Sequence, residues 1–279
     1  MQGKVVVITG ATSGIGKVAA EALAAQGARI VQVARDRQRG EAALARLRAI
    51  APAAAHAVHY ADLSRLSDMK RVAAEIAVAA PRIDVLMNNA GAIFAQRMLT
   101  QDALERTFAL NHMSYFVLTA LLRKNLAPDA RIVSTASNAH WRGHLDLSDL
   151  HAARAYKPFA VYGTTKLCNI LFTRELARKL AGSGIAATCH TPGFIATRFG
   201  DEAGGLYALG VRFAKLFAFS EQKGARTMIW LASAPEVAGG SGTFFQNCRP
   251  GKLSAEAQDD AKAKHLWEES ERIAGLSVP

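Results

Sequence analysis

The chain has 279 residues, half of them apolar and 20% charged, so a sizeable core is available and global disorder is excluded. A net charge of +11 raises nucleic acid as a partner, but Lys and Arg are scattered rather than gathered into a stripe with aromatics, which argues against that class. With no charged-then-apolar leader and no run of about eighteen apolar residues, the expectation is a cytoplasmic protein without a membrane anchor, folded as one α/β domain over 1–279.

The first predicted strand, 4–9, is a β-branched run that flows into Gly10, Gly14 and Gly16 and then into an alanine-rich helix, 16–26. Such glycines allow a tight turn and a close approach of backbone to a pyrophosphate, at a helix N-terminus whose free N–H groups meet the anion. Thr12, Ser13 and Ile15 lie in the same turn and join the predicted cofactor contacts. Strand 29–34 follows, then helix 39–50, strand 56–60, helix 66–79, strand 83–87 and a long helix, 102–125. Strand 131–135, helix 159–180, strand 185–191, helix 221–234, strand 243–246 and a helix near 255–273 complete the chain. Strict alternation implies right-handed crossovers and a doubly wound, Rossmann-like parallel sheet of seven strands, covered on both faces.

Two segments break the rhythm: 139–158, polar and holding His140, Trp141, His144, His151 and Tyr156, and 193–220, rich in Phe. Both leave C-terminal ends of strands, where ligands sit in open α/β sheets, and loops of that length are commonly binding loops or lids. The aromatics and glycines of 199–219, within about 194–220, predict a mobile apolar lid. His140, His144 and His151 have no metal spacing and read as loop histidines, so no metal is expected. Cys168, Cys189 and Cys248 form neither a metal-ligand pattern nor a disulfide framework and read as buried thiols.

The chemistry is carried further along. Tyr162 and Lys166 stand four apart on a helical period, so both side chains leave one face. A phenol is a poor acid–base at neutral pH, and a nearby ammonium favours its ionised form. Ser137, just past strand 131–135, can hydrogen-bond a substrate carbonyl oxygen. Asn111, an indifferent helix former inside a long helix, can hold a water that links Lys166 to solvent.

Together these stretches resemble the short-chain dehydrogenase/reductase family over essentially the whole chain. The matching pieces are Thr9-Gly10-x-x-x-Gly14-Ile15-Gly16, Asp62-Leu63, Asn88-Asn89-Ala90-Gly91, Asn111, Ser137, Tyr162-x-x-x-Lys166 and Pro192-Gly193-x-x-x-Thr197. The resemblance implies the strand order 3-2-1-4-5-6-7, and that Asn111, Ser137, Tyr162 and Lys166 form a catalytic tetrad. It implies that Asp62, with Leu63 beside it, meets the adenine, that Asn88, Asn89, Ala90 and Gly91 line the cofactor, and that Ile195 and Thr197, after Pro192-Gly193, hold the carboxamide. Within the family the chain is similar to retinol dehydrogenase-like members, through Ser137-Asn-Ala-His140, the run from Lys166 to Ala177, Cys248-Arg-Pro and Leu266-Trp267-Glu268. The long interval between Ser137 and Tyr162 fits that branch. Two departures are Thr191, in the place of a common His before Pro-Gly, and the N-terminal hydrophobic segment of the membrane-anchored members, which is missing.

Cofactor choice follows from charge. In NAD-using relatives an acidic residue at the end of the second strand holds both ribose hydroxyls. Here that place reads Ala34 with Arg35 next, and a guanidinium suits a 2′-phosphate through its forked donors. Lys17 and Arg37 add field strength, while Asp36 falls one or two positions beyond the NAD-selecting place. NADP(H) is therefore favoured over NAD(H). The reading is an NADP(H)-dependent oxidoreductase that moves a hydride between nicotinamide and the carbonyl or alcohol of a hydrophobic small molecule, of aryl, terpenoid, polyketide or retinoid-like type. The alternatives are a non-catalytic NADPH-binding regulator and a relative of the light-driven tetrapyrrole reductases. For assembly, homodimer and homotetramer both stay open.

Overall fold

The computed structural model describes residues 1–193, 220–237 and 240–277. Strands β1 (Val5–Thr9), β2 (Arg29–Ala34), β3 (Ala57–Tyr60) and β4 (Ile83–Asn88) alternate with helices α1 (Gly14–Ala25), α2 (Arg37–Ile50) and α3 (Leu66–Ala79). After β4 come α4 (Arg106–Phe108), a π turn (Ala109–Met113), α5 (Ser114–Leu122) and β5 (Leu126–Thr135). The chain continues through α6 (Pro158–Lys179), β6 (Ala186–Thr191), α7 (Glu221–Ser233), β7 (Phe244–Gln246), β8 (Arg249–Pro250) and α8 (Asp260–Ala274).

The sheet runs β3-β2-β1-β4-β5-β6-β7-β8. Its first seven strands are parallel and in the predicted order, and the eighth is a two-residue antiparallel addition paired with β7. The strands read as continuous apolar runs because both faces are covered. In β1, Val6 and Ile8 point into the layer built with Ala19, Leu23 and Met228, whereas Val7 faces the larger layer of Phe116, Leu171 and Phe172. Helices α1, α2 and α7 therefore cover one face, and α3, α5, α6 and α8 the other.

The predicted helix 102–125 starts later and is divided. Asp102 does not begin it: its carboxylate accepts the N–H of Leu66 at 2.9 Å, at the start of α3. Glu105 caps the helix instead, accepting from the N–H of Phe108 at 2.9 Å. β8 went unread because two residues carry no period. It exists through the turn Asn247-Cys248, both with positive φ (52° and 59°), as a two-residue hairpin requires. The C-terminal helix docks through Trp267, whose ring stacks on Phe172 at 5.9 Å and meets Phe116 edge-on at 5.0 Å. Among the described residues no helix is long and apolar enough to cross a membrane.

Candidate active site

A cleft of about 930 Å³ runs along the C-terminal ends of the central strands. Its floor is stapled together by Thr9 and Asn89. The Thr9 hydroxyl accepts the N–H groups of Asn89 and Ala90, both at 2.9 Å, and Asn89 Nδ2 donates to the carbonyls of Thr9 (3.0 Å) and Gly10 (3.3 Å). These bonds bring β1 and β4 so close that only glycine fits between them. A Cβ on Gly10 (φ +69°) would lie 2.9 Å from Ala90 Cα, and one on Gly16 would lie 2.4 Å from the Gly10 carbonyl oxygen. Gly10, Thr12, Ser13, Gly14, Ile15 and Gly16 all face the cleft. No acid stands in the first turn of α1, and among the described residues Ser13 makes no side-chain capping bond, so the positive end of the helix is open to an anion.

At the β2 end, Arg35 lines the cleft together with Arg39, which sequence reasoning had not singled out. Asp36 caps α2, accepting the Arg39 N–H at 2.8 Å. Arg37 leaves the site instead of adding to it, for its guanidinium lies 4.4 Å over the Tyr60 ring. Asp62 and Leu63 form the next part of the wall. Asp62 is pre-set by its own turn, with Oδ1 accepting from Ser64 N–H (3.0 Å) and Ser64 Oγ (2.7 Å).

Tyr162 and Lys166 close the other end, on one face of α6, with exposures of only 8% and 2%. Lys166 Nζ donates to the Thr135 carbonyl at 2.9 Å and sits 5.4 Å from the Tyr162 ring centre. Burial pushes the Tyr162 phenol well above its ordinary range, and a hydrogen bond with Ser137 offsets this only in part. Burial also pulls Lys166 down, to about 7. Desolvation thus outweighs the expected ammonium effect, and the phenol is held as a proton donor. The Ser137 hydroxyl accepts the Ala139 N–H at 3.1 Å, which fixes its aim.

Asn111 stands in the π turn, fully buried just behind the cleft wall. Its Nδ2 donates to the Ala92 carbonyl (2.9 Å) and Thr165 Oγ1 (3.0 Å), and its Oδ1 accepts the Ala92 N–H (2.8 Å). A Cβ on Gly91 would come within 3.1 Å of Asn111 Oδ1 and 3.5 Å of Lys166 Nζ, so both polar atoms border the space that Gly91 leaves open. Ala90, Gly91, Pro192 and Gly193 complete the cleft; Ile195, Thr197 and the lid 199–219 lie outside the described residues.

The loop after Ser137 supplies residues that sequence reasoning undervalued. His140, read from the sequence as a loop histidine, is fully buried in that loop: its Nε2 accepts the Ser254 N–H at 3.3 Å, and its Nδ1–H therefore donates to the Ser137 carbonyl at 2.8 Å. Trp141 and Phe159 are 54% and 42% exposed, and both line the cleft. The only hint of this in the sequence was aromatic content beside Ser137 and Tyr162. Cys168 and Cys189 are buried as expected and burial raises both thiols, Cys189 to about 12, whereas Cys248 is only half-buried, at the hairpin turn. Among the described residues no group of three acidic, His or Cys side chains could hold a metal ion.

The sequence profile described as short chain dehydrogenase matches residues 4–204. The chain is 37% identical to human retinol dehydrogenase 14 over 99% of its own length and 88% of that protein. It is also 37% identical to a Streptomyces sp. (strain C5) protein provisionally named daunorubicin C-13 ketoreductase DnrU, covering 99% of this chain and 94% of that one. A short chain dehydrogenase from Burkholderia cenocepacia J2315, solved in complex with NADP, superposes with a TM-score of 0.70 at 26% identity, covering 88% of this chain and 96% of that one.

Proposed function

The chain belongs to the short-chain dehydrogenase family of oxidoreductases, and from that premise we propose that it is an NADP(H)-dependent enzyme acting on the carbonyl or alcohol of a hydrophobic small molecule. The observation that carries this reading is the convergence of Tyr162, Lys166 and Ser137 at one end of a cleft whose other end holds Arg35 and Arg39. The residues fit the dinucleotide. The glycine cradle at Gly10 and Gly16 has room only for backbone, and α1 offers its N-terminus without a competing acid. Asp36 also lines the cleft, but its Oδ1 is engaged in capping α2, and the guanidinium groups of Arg35 and Arg39 on either side of it favour a 2′-phosphate.

When bound, the nicotinamide supplies or accepts the hydride. The protein's own share is proton control and orientation. Ser137 directs its hydroxyl at the oxygen of the reacting group. Tyr162, kept protonated by burial, delivers a proton to that oxygen during reduction and recovers it during oxidation. Lys166, anchored on the Thr135 carbonyl, keeps its amino group beside the phenol and would hold the ribose hydroxyls. Asn111 ties the loop after β4, at Ala92, to the π turn, and so preserves the space at Gly91 that both its Oδ1 and Lys166 Nζ border. Apolar selectivity is supported by the exposed rings of Trp141 and Phe159 at the cleft mouth, and by a relative whose name gives it the C-13 ketone of daunorubicin.

The test is Tyr162→Phe, which removes one hydroxyl from a buried site. NADPH affinity should stay near that of the parent, and NADPH oxidation in the dark against lipophilic ketones and aldehydes should fall by about 10²-fold or more. Turnover retained within about threefold would sink the assignment. A parent protein that binds NADPH but turns over no carbonyl would favour a regulator.

A further inference from the structure

A second cavity, of about 820 Å³, opens beside the cleft at the β7–β8 end of the sheet. Asn138 and Trp141 line both spaces, and Asn138 directly follows Ser137, so the two meet where a reacting carbonyl would sit. The remaining wall is basic. Arg226 of α7, Arg249 of the hairpin and Lys252 beyond it all face the cavity, and no carboxylate stands among the described residues that line it.

This cavity is held in shape by the hairpin. Cys248 occupies a left-handed position (φ 59°) that glycine normally fills. Its N–H donates to Thr227 Oγ1 at 3.2 Å, one residue from Arg226. On the same two elements Trp230 meets Phe245 edge-on at 5.5 Å. The hairpin is thereby pinned to α7, with Arg226 on one side and Arg249 on the other. These cations are not placed to read the cofactor's 2′-phosphate. Arg35 follows β2, which lies five strand spacings from β7 in the sheet order, a span of about 24 Å at roughly 4.8 Å per strand.

We propose that this cavity is an anion subsite for the far end of the substrate. The substrate would be a carbonyl compound whose apolar body lies along Trp141 and whose tail carries a carboxylate or phosphate held by Arg226, Arg249 and Lys252. This rests on the reading of Ser137 and Tyr162 as the reacting end.

The experiment compares an ω-oxo fatty acid, its methyl ester and the matching ω-oxoalkyl phosphate, at graded chain lengths, using the full chain and NADPH. At one chain length or more an anionic member should exceed the ester in kcat/KM by about tenfold, with the difference shrinking as salt rises; which anion leads identifies the natural tail. In Arg226→Gln/Arg249→Gln, kcat/KM for the anionic members should fall about tenfold more than for the ester, through KM rather than kcat. An ester equal to or better than both anions at every length would overturn the proposal, as would a preference that survives the double substitution. Should none of the aldehydes turn over, the non-reacting alkanoate, alkyl phosphate and methyl ester are titrated with NADPH present, reading tryptophan emission. Tighter binding of an anion, lost in the double variant, supports the subsite, and equal or absent binding of all three overturns it. Failure of the reacting-end reading shows itself separately, as Tyr162→Phe turnover close to the parent's.

Discussion

At the scale of single residues, the site separates charges by task. Arg35, Asp36 and Arg39 all line the same end of the cleft and Asp36 also caps α2 through its Oδ1, so the proposed preference for a phosphorylated ribose rests on two guanidinium groups set beside one partly engaged carboxylate. Arg35→Ala is expected to weaken NADPH by about 1.5–3 kcal/mol, roughly ten- to a hundredfold, as befits a charge-assisted contact, and to weaken NADH far less. Fluorescence titration of both cofactors decides it, and equal losses would show that Arg35 does not read the 2′-phosphate. Residues such as Tyr162, Lys166 and Ser137 were legible in the sequence because their spacing sets their geometry. Arg39 was not, for it enters the cleft only through the direction in which α2 leaves Asp36. The burial of His140 was not legible, because nothing in the chain shows that Ser254 returns to meet it.

At the scale of elements, the turn that carries Ser137 is held by two glycines packed backbone to backbone. A Cβ on Gly143 would lie 2.5 Å from the carbonyl carbon and oxygen of Gly163, and one on Gly163 would lie 2.7 Å from the Ala139 carbonyl oxygen. Gly143→Ala must push the Ser137 loop off α6, away from Tyr162. Because a displacement of about 1 Å can cost on the order of 10²-fold in rate, kcat is expected to drop by about 10- to 100-fold. NADPH binding, made by other elements, should stay near that of the parent. Steady-state kinetics alongside cofactor titration checks this, and an unchanged kcat would remove the contact from the mechanism. Neither glycine stands out in the sequence, since a contact between two backbones has no period. By contrast, the β-branched strands and the alanine-rich α1 announce themselves, and the parallel sheet follows from their alternation with helices, while the order of its seven strands comes from the family resemblance.

At the scale of the whole molecule, stability and site share one titration. Burial lowers Lys166 from 10.5 to about 7, so between those values the unfolded chain binds more protons than the folded one. Stability from this group therefore rises with pH across that window and is least below it. Thermal melts of the ligand-free protein between pH 7 and about pH 8, below the ordinary values of the buried thiols (9.0) and phenols (10.0) whose ionisation in the unfolded chain acts in the opposite direction, should show a rising Tm. Lys166→Met should flatten the rise, and identical slopes would contradict it. The hairpin that walls the second cavity has a separate effect on association. It covers the outer edge of β7 with a strand only two residues long, ending in Pro250, which has no N–H to offer. The sheet is thus terminated on that side: two copies cannot splice their strands there into one continuous sheet, and a partner copy approaching that border meets side chains instead of a hydrogen-bonding template.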